Sequence, residues 1–533
     1  MVCYAPSSLS SAEILLPFLP LIALILAAFT TWILRGRAVR TQWAVSASFG
    51  ILIWIVTMGL STSFPASVSF SVWQPERLFQ SPLQFSLDQT SWAYMYASST
   101  VLLAMIFTAS ARQSVSPADV RAFWFLYTAL AMIAMLAANL VTLTISWALM
   151  DFLTLIFFLR YAVRPEDVQR ALIRTGIDMA GVLLLLAGAS MNFQAGGDTS
   201  ITTAFQSTTG VLLVILAALF RLGVLPLHFG IPTFEPLRRG MGTLLRLFPP
   251  AVSMILLTRL FGLGLPVETR NWLMFVGIVG VLIGGIRWVL EDYVIESRPY
   301  FVLTISSLAV LAGVAEWGIE GPRAAGVAML LIGAALSLSE IHSPVHRVWP
   351  ILGAVILVGM PWSIGGVLGA SFGRLLHTGG NLPTIIAGAI GMTLLGLGAV
   401  HAVLEEEIQW PSAETLVRVM FDMGVALPVL VSVGLGIWLQ PVPGLEGIIV
   451  FAISASLGLL LLFVLRRLPT DLVQSWQGTA GRFDPQYVYR VLWRPLRILA
   501  RIARVTGSIF EGEGALLWMT VVIVFIILAL GVG

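Results

Sequence analysis

Apolar runs of about 17–25 residues, long enough for a helix to cross a bilayer, recur along almost the whole chain. Sixteen begin near Ile14, Trp43, Trp92, Ala122, Leu143, Leu172, Gly210, Gly242, Trp272, Phe301, Ala324, Trp349, Ile385, Met423, Gly447 and Ala515. The runs at Phe301, Ala324 and Ala515 are the weakest, being short or edged by acids. The pattern predicts an all-α integral membrane protein of about 16 transmembrane helices. Between the runs no stretch is long enough for a second domain. The largest are residues 61–88 and 466–514. In the first, SVSFSVW and LQFSL alternate polar and apolar positions, which predicts a small extracytoplasmic hairpin over about residues 64–88. The expected division is a transmembrane domain over 1–465, a surface segment over 466–514 and a terminal span over 515–533.

Composition agrees with the pattern. Residues are 58% hydrophobic and 11% charged, with a mean hydropathy of +0.93, whereas soluble domains carry roughly 25% charged residues. The lone cysteine, Cys3, excludes an internal disulfide and a zinc cluster. No basic region precedes the first apolar run, so that run is read as a span and not as a cleaved signal peptide. The net charge of +3 gives no reason to invoke nucleic acid.

All 30 basic residues are arginines; there is no lysine. Loops after odd-numbered spans hold 24 of them and the opposite loops five: Arg77, Arg259, Arg270, Arg323 and Arg374, with Arg221 inside a span. This asymmetry is a positive-inside signal and predicts both termini outside the cytoplasm. Each miscounted span would invert everything after it, so the asymmetry also supports the count. Near the C-terminus, Arg490, Arg494, Arg497, Arg501 and Arg504 recur at helical spacing among apolar residues. That stripe predicts an amphipathic helix on the cytoplasmic membrane surface, kinked or started at Pro495. Packing beneath a partner subunit is the other reading.

Polar groups inside spans are costly and are therefore functional suspects. Asp151 stands in the middle of the fifth run, Asp178 in the sixth and Arg221 in the seventh, with His228 beyond Pro226. Pro226 removes a helix hydrogen bond, a discontinuity of the kind transporters place at ion sites. The twelfth run is interrupted in the same manner, at GMPWSIGG, and the thirteenth carries His401 near Glu405. No nucleophile–base pairing, metal-ligand spacing or nucleotide motif accompanies them, so the chain is not expected to be catalytic alone or to hold a cofactor.

The run ALFRLGVLPLHFGIP resembles the seventh-helix signature of the antiporter-like subunits of respiratory complex I, approximately K-x-A-Q-x-P-L-H-x-W-L-P. AANLVTLTISWALMDFL resembles the family's A-D-N-L-x-x-L-F-x-x-W-E, and RTGIDMAGVLLLL its R-x-G-D-x-G-x-x-L. GMPWSIGG and MGVALPVLVSVGLGIWLQP are similar to its broken twelfth and its fourteenth helices. These matches run in order over roughly residues 85–440. The same family includes subunits of Mrp-type cation/proton antiporters, membrane-bound hydrogenases and bicarbonate-uptake systems. The resemblance implies an antiporter-like fold with helices seven and twelve broken, set in the cytoplasmic membrane of a prokaryote. It implies other membrane subunits and the lipid bilayer as partners, with any redox chemistry, such as that of an NADH:quinone oxidoreductase, belonging to those partners.

The departures from the family are chemical. Its glutamate position is Ala148 here, with Asp151 three residues on and on roughly the same helix face. Its lysine position in the seventh helix is Arg221, and its lysine in the twelfth is Gly369. Arg246 lies near the family's eighth-helix histidine or lysine, and the eleventh run has neither residue. A buried lysine can release its proton, whereas arginine stays charged. Asp151 and Arg221 are therefore expected to form a structural ion pair, and proton-pathway candidates reduce to Asp151, Asp178, Arg221, His228 and His401. Three readings follow: an ion-translocating subunit with an impaired relay, a non-translocating scaffold, and a stand-alone anion transporter with Arg221 binding substrate.

Overall fold

A computed structural model describes residues 16–467 apart from 71–81, 111–117, 163, 226–239, 292–293, 317, 340–346, 378–380 and 406–413. Among these residues there are sixteen α-helices and one two-stranded sheet. In chain order they begin with α1 (Leu19–Ile33) and α2 (Val39–Gly59), followed by strands β1 (Ala66–Phe70) and β2 (Leu83–Leu87). Next come α3 (Gln89–Ala109), α4 (Ala118–Leu136), α5 (Leu140–Tyr161), α6 (Pro165–Gln194), α7 (Thr208–Leu222) and α8 (Met241–Leu263). Then follow α9 (Val267–Leu290), α10 (Val294–Glu316), α11 (Glu320–Leu338), α12 (Val348–Leu357) and α13 (Ile364–Arg374). The series closes with α14 (Leu382–Glu405), α15 (Thr415–Leu439) and α16 (Leu445–Arg467). Thirteen helices among the described residues are long and apolar enough to cross a membrane.

The first fifteen apolar runs each correspond to a helix, the twelfth to the pair α12 and α13. The sixteenth run and the basic stripe from Arg490 to Arg504 lie outside the described residues. Helix α12 stops at Leu357 and α13 starts at Ile364. Gly359 (φ 107°) and Trp362 (φ 56°) turn the chain between them. Ser363 then caps α13 by accepting the Gly366 N–H at 3.3 Å.

Helices α3, α8 and α11 are almost wholly enclosed, while α1, α2 and α16 keep most of their surface outward. That outer surface is apolar: Phe29, Leu52, Leu459 and Leu460 are all exposed. An exposed apolar belt around a buried centre is the arrangement required when lipid is the solvent. The strongest packing joins α9 to α10, α6 to α7 and α1 to α4.

The antiparallel hairpin pairs Val68 with Phe85 and is tied to the helices at its base. Asp88 caps α3 by accepting the Ser91 N–H at 2.6 Å, while the Ser91 hydroxyl accepts the Asp88 N–H at 2.8 Å. This reciprocal box satisfies two helix-end donors. Asn139 caps α5 by accepting the Thr142 N–H at 2.8 Å and donates to the Pro82 carbonyl at 2.7 Å.

Several arginines that hydropathy assigns to loops stand inside helices instead: Arg121 on α4, Arg174 on α6, Arg246 and Arg259 on α8, Arg298 on α10 and Arg323 on α11. The helices extend past their apolar runs. Helix α6, with 30 residues, is about 45 Å long at ~1.5 Å per residue, well beyond a hydrocarbon core of ~30 Å. Neighbouring helices cover these side chains, as where Arg121 donates to Gln42.

Candidate functional site

Asp151 stands at the centre of α5 and is 3% exposed. Arg221 lies in the last turn of α7, fully buried. That helix ends at Gly223, whose φ of 71° suits glycine. Its 15 residues span only about 22 Å, less than the ~30 Å core. Arg221 Nη1 donates to Asp151 Oδ2 at 2.6 Å. The ring of Trp147, one turn before Asp151 on α5, lies 4.5 Å from the guanidinium carbon. A carboxylate and an aromatic face from one helix thus hold the guanidinium of another.

A second pair lies on α6. Arg174 Nε donates to Asp178 Oδ2 at 2.9 Å, and both side chains are buried. One turn further, Gly181 packs against the stem of Arg221: a Cβ built there would stand 3.2 Å from Arg221 Cγ. Arg174, Asp178 and Arg221 all lie within electrostatic reach of Asp151. Tyr127 of α4 is buried in the same region and accepts a hydrogen bond from the Thr154 hydroxyl of α5 at 3.3 Å. Three helices therefore bring together two arginines and two aspartates whose formal charges cancel.

The arginines fix this arrangement and do not exchange protons. The carboxylates are the groups that can. Asp178 Oδ1 is buried with no hydrogen-bond partner among the described residues, so one oxygen of that carboxylate is held and the other is open to a new bond. Asp151 differs in being gripped by Arg221 at short range.

Of the remaining sequence candidates, one is placed away from this group. His401 lies half-buried on α14, whose main packing partners are α9, α10, α12 and α16 rather than α5, α6 or α7. Pro226 and His228 lie outside the described residues. Sequence reasoning joined Asp151 to Arg221 but missed Arg174, Trp147 and Tyr127 as neighbours. The four-residue step from Arg174 to Asp178 was the available signal for one of them.

No protein-family model and no curated protein matches the sequence. Solved structures do match its fold. One is a chain of the Mrp complex from Dietzia sp. DQ12-45-1b, at 17% identity and a TM-score of 0.72, covering 97% of this chain. This chain spans 63% of that chain's length. Another belongs to the membrane-bound sulfane sulfur reductase, an archaeal respiratory membrane complex, at 14% identity and a TM-score of 0.70. There the match covers 96% of this chain and 99% of the other. This chain therefore shares its fold with chains of these two membrane complexes.

Proposed function

We propose that this chain is an antiporter-like membrane subunit of a multisubunit complex that moves protons or other cations. It would work in a prokaryotic cytoplasmic membrane with both termini outside the cytoplasm. The observation that carries the reading is the pair of buried ion pairs, Asp151–Arg221 and Arg174–Asp178, at the meeting of α5, α6 and α7. Buried charge is expensive to keep in a membrane, and four charged groups in one place call for a use. In this reading Asp178 carries the proton, while Asp151 and Arg221 hold α5 and α7 in register. Matches to chains of two multisubunit complexes support the same assignment.

Arg221 also favours a second reading. It stands where the resembling family has an exchangeable lysine, and a group that never releases its proton suits a scaffold that kept the fold without the relay.

Affinity purification of the tagged chain from native membranes in mild detergent, with native mass spectrometry, tests membership. The expected product is a defined set of membrane subunits. A lone chain that binds and moves an anion would favour the stand-alone transporter and remove the proposal.

A further inference from the structure

Helices α12, α14 and α16 border a groove of about 290 Å³ that opens on the outer surface. Leu397 is buried at its floor, and Leu459 at its rim is 69% exposed. Thr393 brings the one hydroxyl in the lining. That hydroxyl donates to the Ala389 carbonyl at 2.8 Å and lies 3.2 Å from the Ser454 carbonyl, so the groove presents hydrocarbon. Along α16 the lining runs from Phe451 to Leu462, a rise of about 16 Å at ~1.5 Å per residue. That is half of a hydrocarbon core of ~30 Å, the depth of one leaflet.

Where the groove ends, α16 turns basic. Phe463 follows Leu459 by one helical turn and continues the same face. The guanidinium carbon of Arg467 lies 4.2 Å from the centroid of the Phe463 ring. The cation is thus folded back along the helix to the mouth of the groove, and both residues are exposed there. An apolar slot one leaflet deep with a guanidinium at its end complements a molecule with a hydrocarbon chain and a phosphate head. The free space is about twice the ~150 Å³ that holds benzene, so a chain has room to enter. We propose that the groove between α12, α14 and α16 holds one acyl chain of a resident phospholipid, with its phosphate on Arg467. Guanidinium–phosphate pairing offsets the freedom that the chain loses. The site does not depend on the proton-carrying reading, because a scaffold with no flux would hold the lipid equally.

The probe is a phosphatidylglycerol with a diazirine midway along one acyl chain. It is photolysed with the full-length chain, purified with any accompanying subunits in a maltoside detergent, and the label is mapped by peptide mass spectrometry. The expected label on the groove residues of α14 and α16 exceeds that on the exposed face of α1 by about tenfold or more. A Cβ at Gly458, in the groove lining, meets only Thr393 Cγ2, at 3.7 Å. Gly458→Leu therefore fills the groove without moving the backbone and should abolish the label. Arg467→Gln leaves the groove open and should lower the label about tenfold. Should either variant fail to assemble, competition on the wild type decides: unlabelled phosphatidylglycerol should displace the probe, and diacylglycerol with the same chains should not. Label spread evenly over α1, α2 and α16 overturns the proposal, as does groove label that persists in Gly458→Leu. So does equal displacement by diacylglycerol, or a groove shielded from the probe by a neighbouring subunit.

Discussion

Gly181 of α6 gives Arg221 of α7 its place: a Cβ at Gly181 would stand 3.2 Å from Arg221 Cγ and 3.3 Å from the Ala217 carbonyl. The stem of Arg221 passes close over the α6 face at Gly181 on its way to Asp151. Gly181→Ala asks the stem to give by a few tenths of an ångström and is expected to cost about 1 kcal/mol or less. Gly181→Leu cannot be fitted without moving α7 and should cost about 3 kcal/mol. Thermal unfolding in detergent checks both; equal stability of the two variants would mean that the contact does not position Arg221.

The Asp151–Arg221 pair should behave as a coupled unit. Arg221→Ala or Asp151→Ala alone leaves a buried charge unmatched and is expected to cost about 3–5 kcal/mol, seen as lost yield. Replacing both, as Asp151→Leu with Arg221→Met, should recover most of that loss. A double-mutant cycle measures the coupling, and additive losses would show two independent residues.

Arg259 of α8 donates to the Ala137 carbonyl at 2.5 Å and lies 3.3 Å from Asp88. It ties α8 to the start of α5, where Ala138 N–H donates to the Gln84 carbonyl of β2. Arg259→Ala should accelerate amide exchange at Ala138 about tenfold or more while leaving α8 protected. Unchanged exchange would mean that the hairpin is held by its own strand pairing and the Asn139 cap.

Much of the fold was legible in the apolar runs, because a membrane helix must hide its backbone within one continuous segment. The Asp151–Arg221 pair was legible for a related reason: each residue is a lone charge in an apolar run. Arg174, Arg246 and Arg298 were misread as loop residues. Hydropathy averages mark where lipid-compatible sequence begins, not where the helix begins, and these arginines lie between. Which helices bring their charges together is a matter of tertiary packing. Nothing local to Tyr127 or Trp147 announces that their rings border an ion pair.

Proton flux through proteoliposomes of the purified complex under its own driving reaction, comparing wild type with Asp178→Asn, tests the role of Asp178 most directly. Asparagine keeps the shape of the side chain and cannot take up the proton. The expected result is a loss of flux of at least about tenfold, with subunit composition unchanged. Flux equal to wild type in Asp178→Asn would contradict the assignment of Asp178. No flux from an intact wild-type complex would make the chain a scaffold.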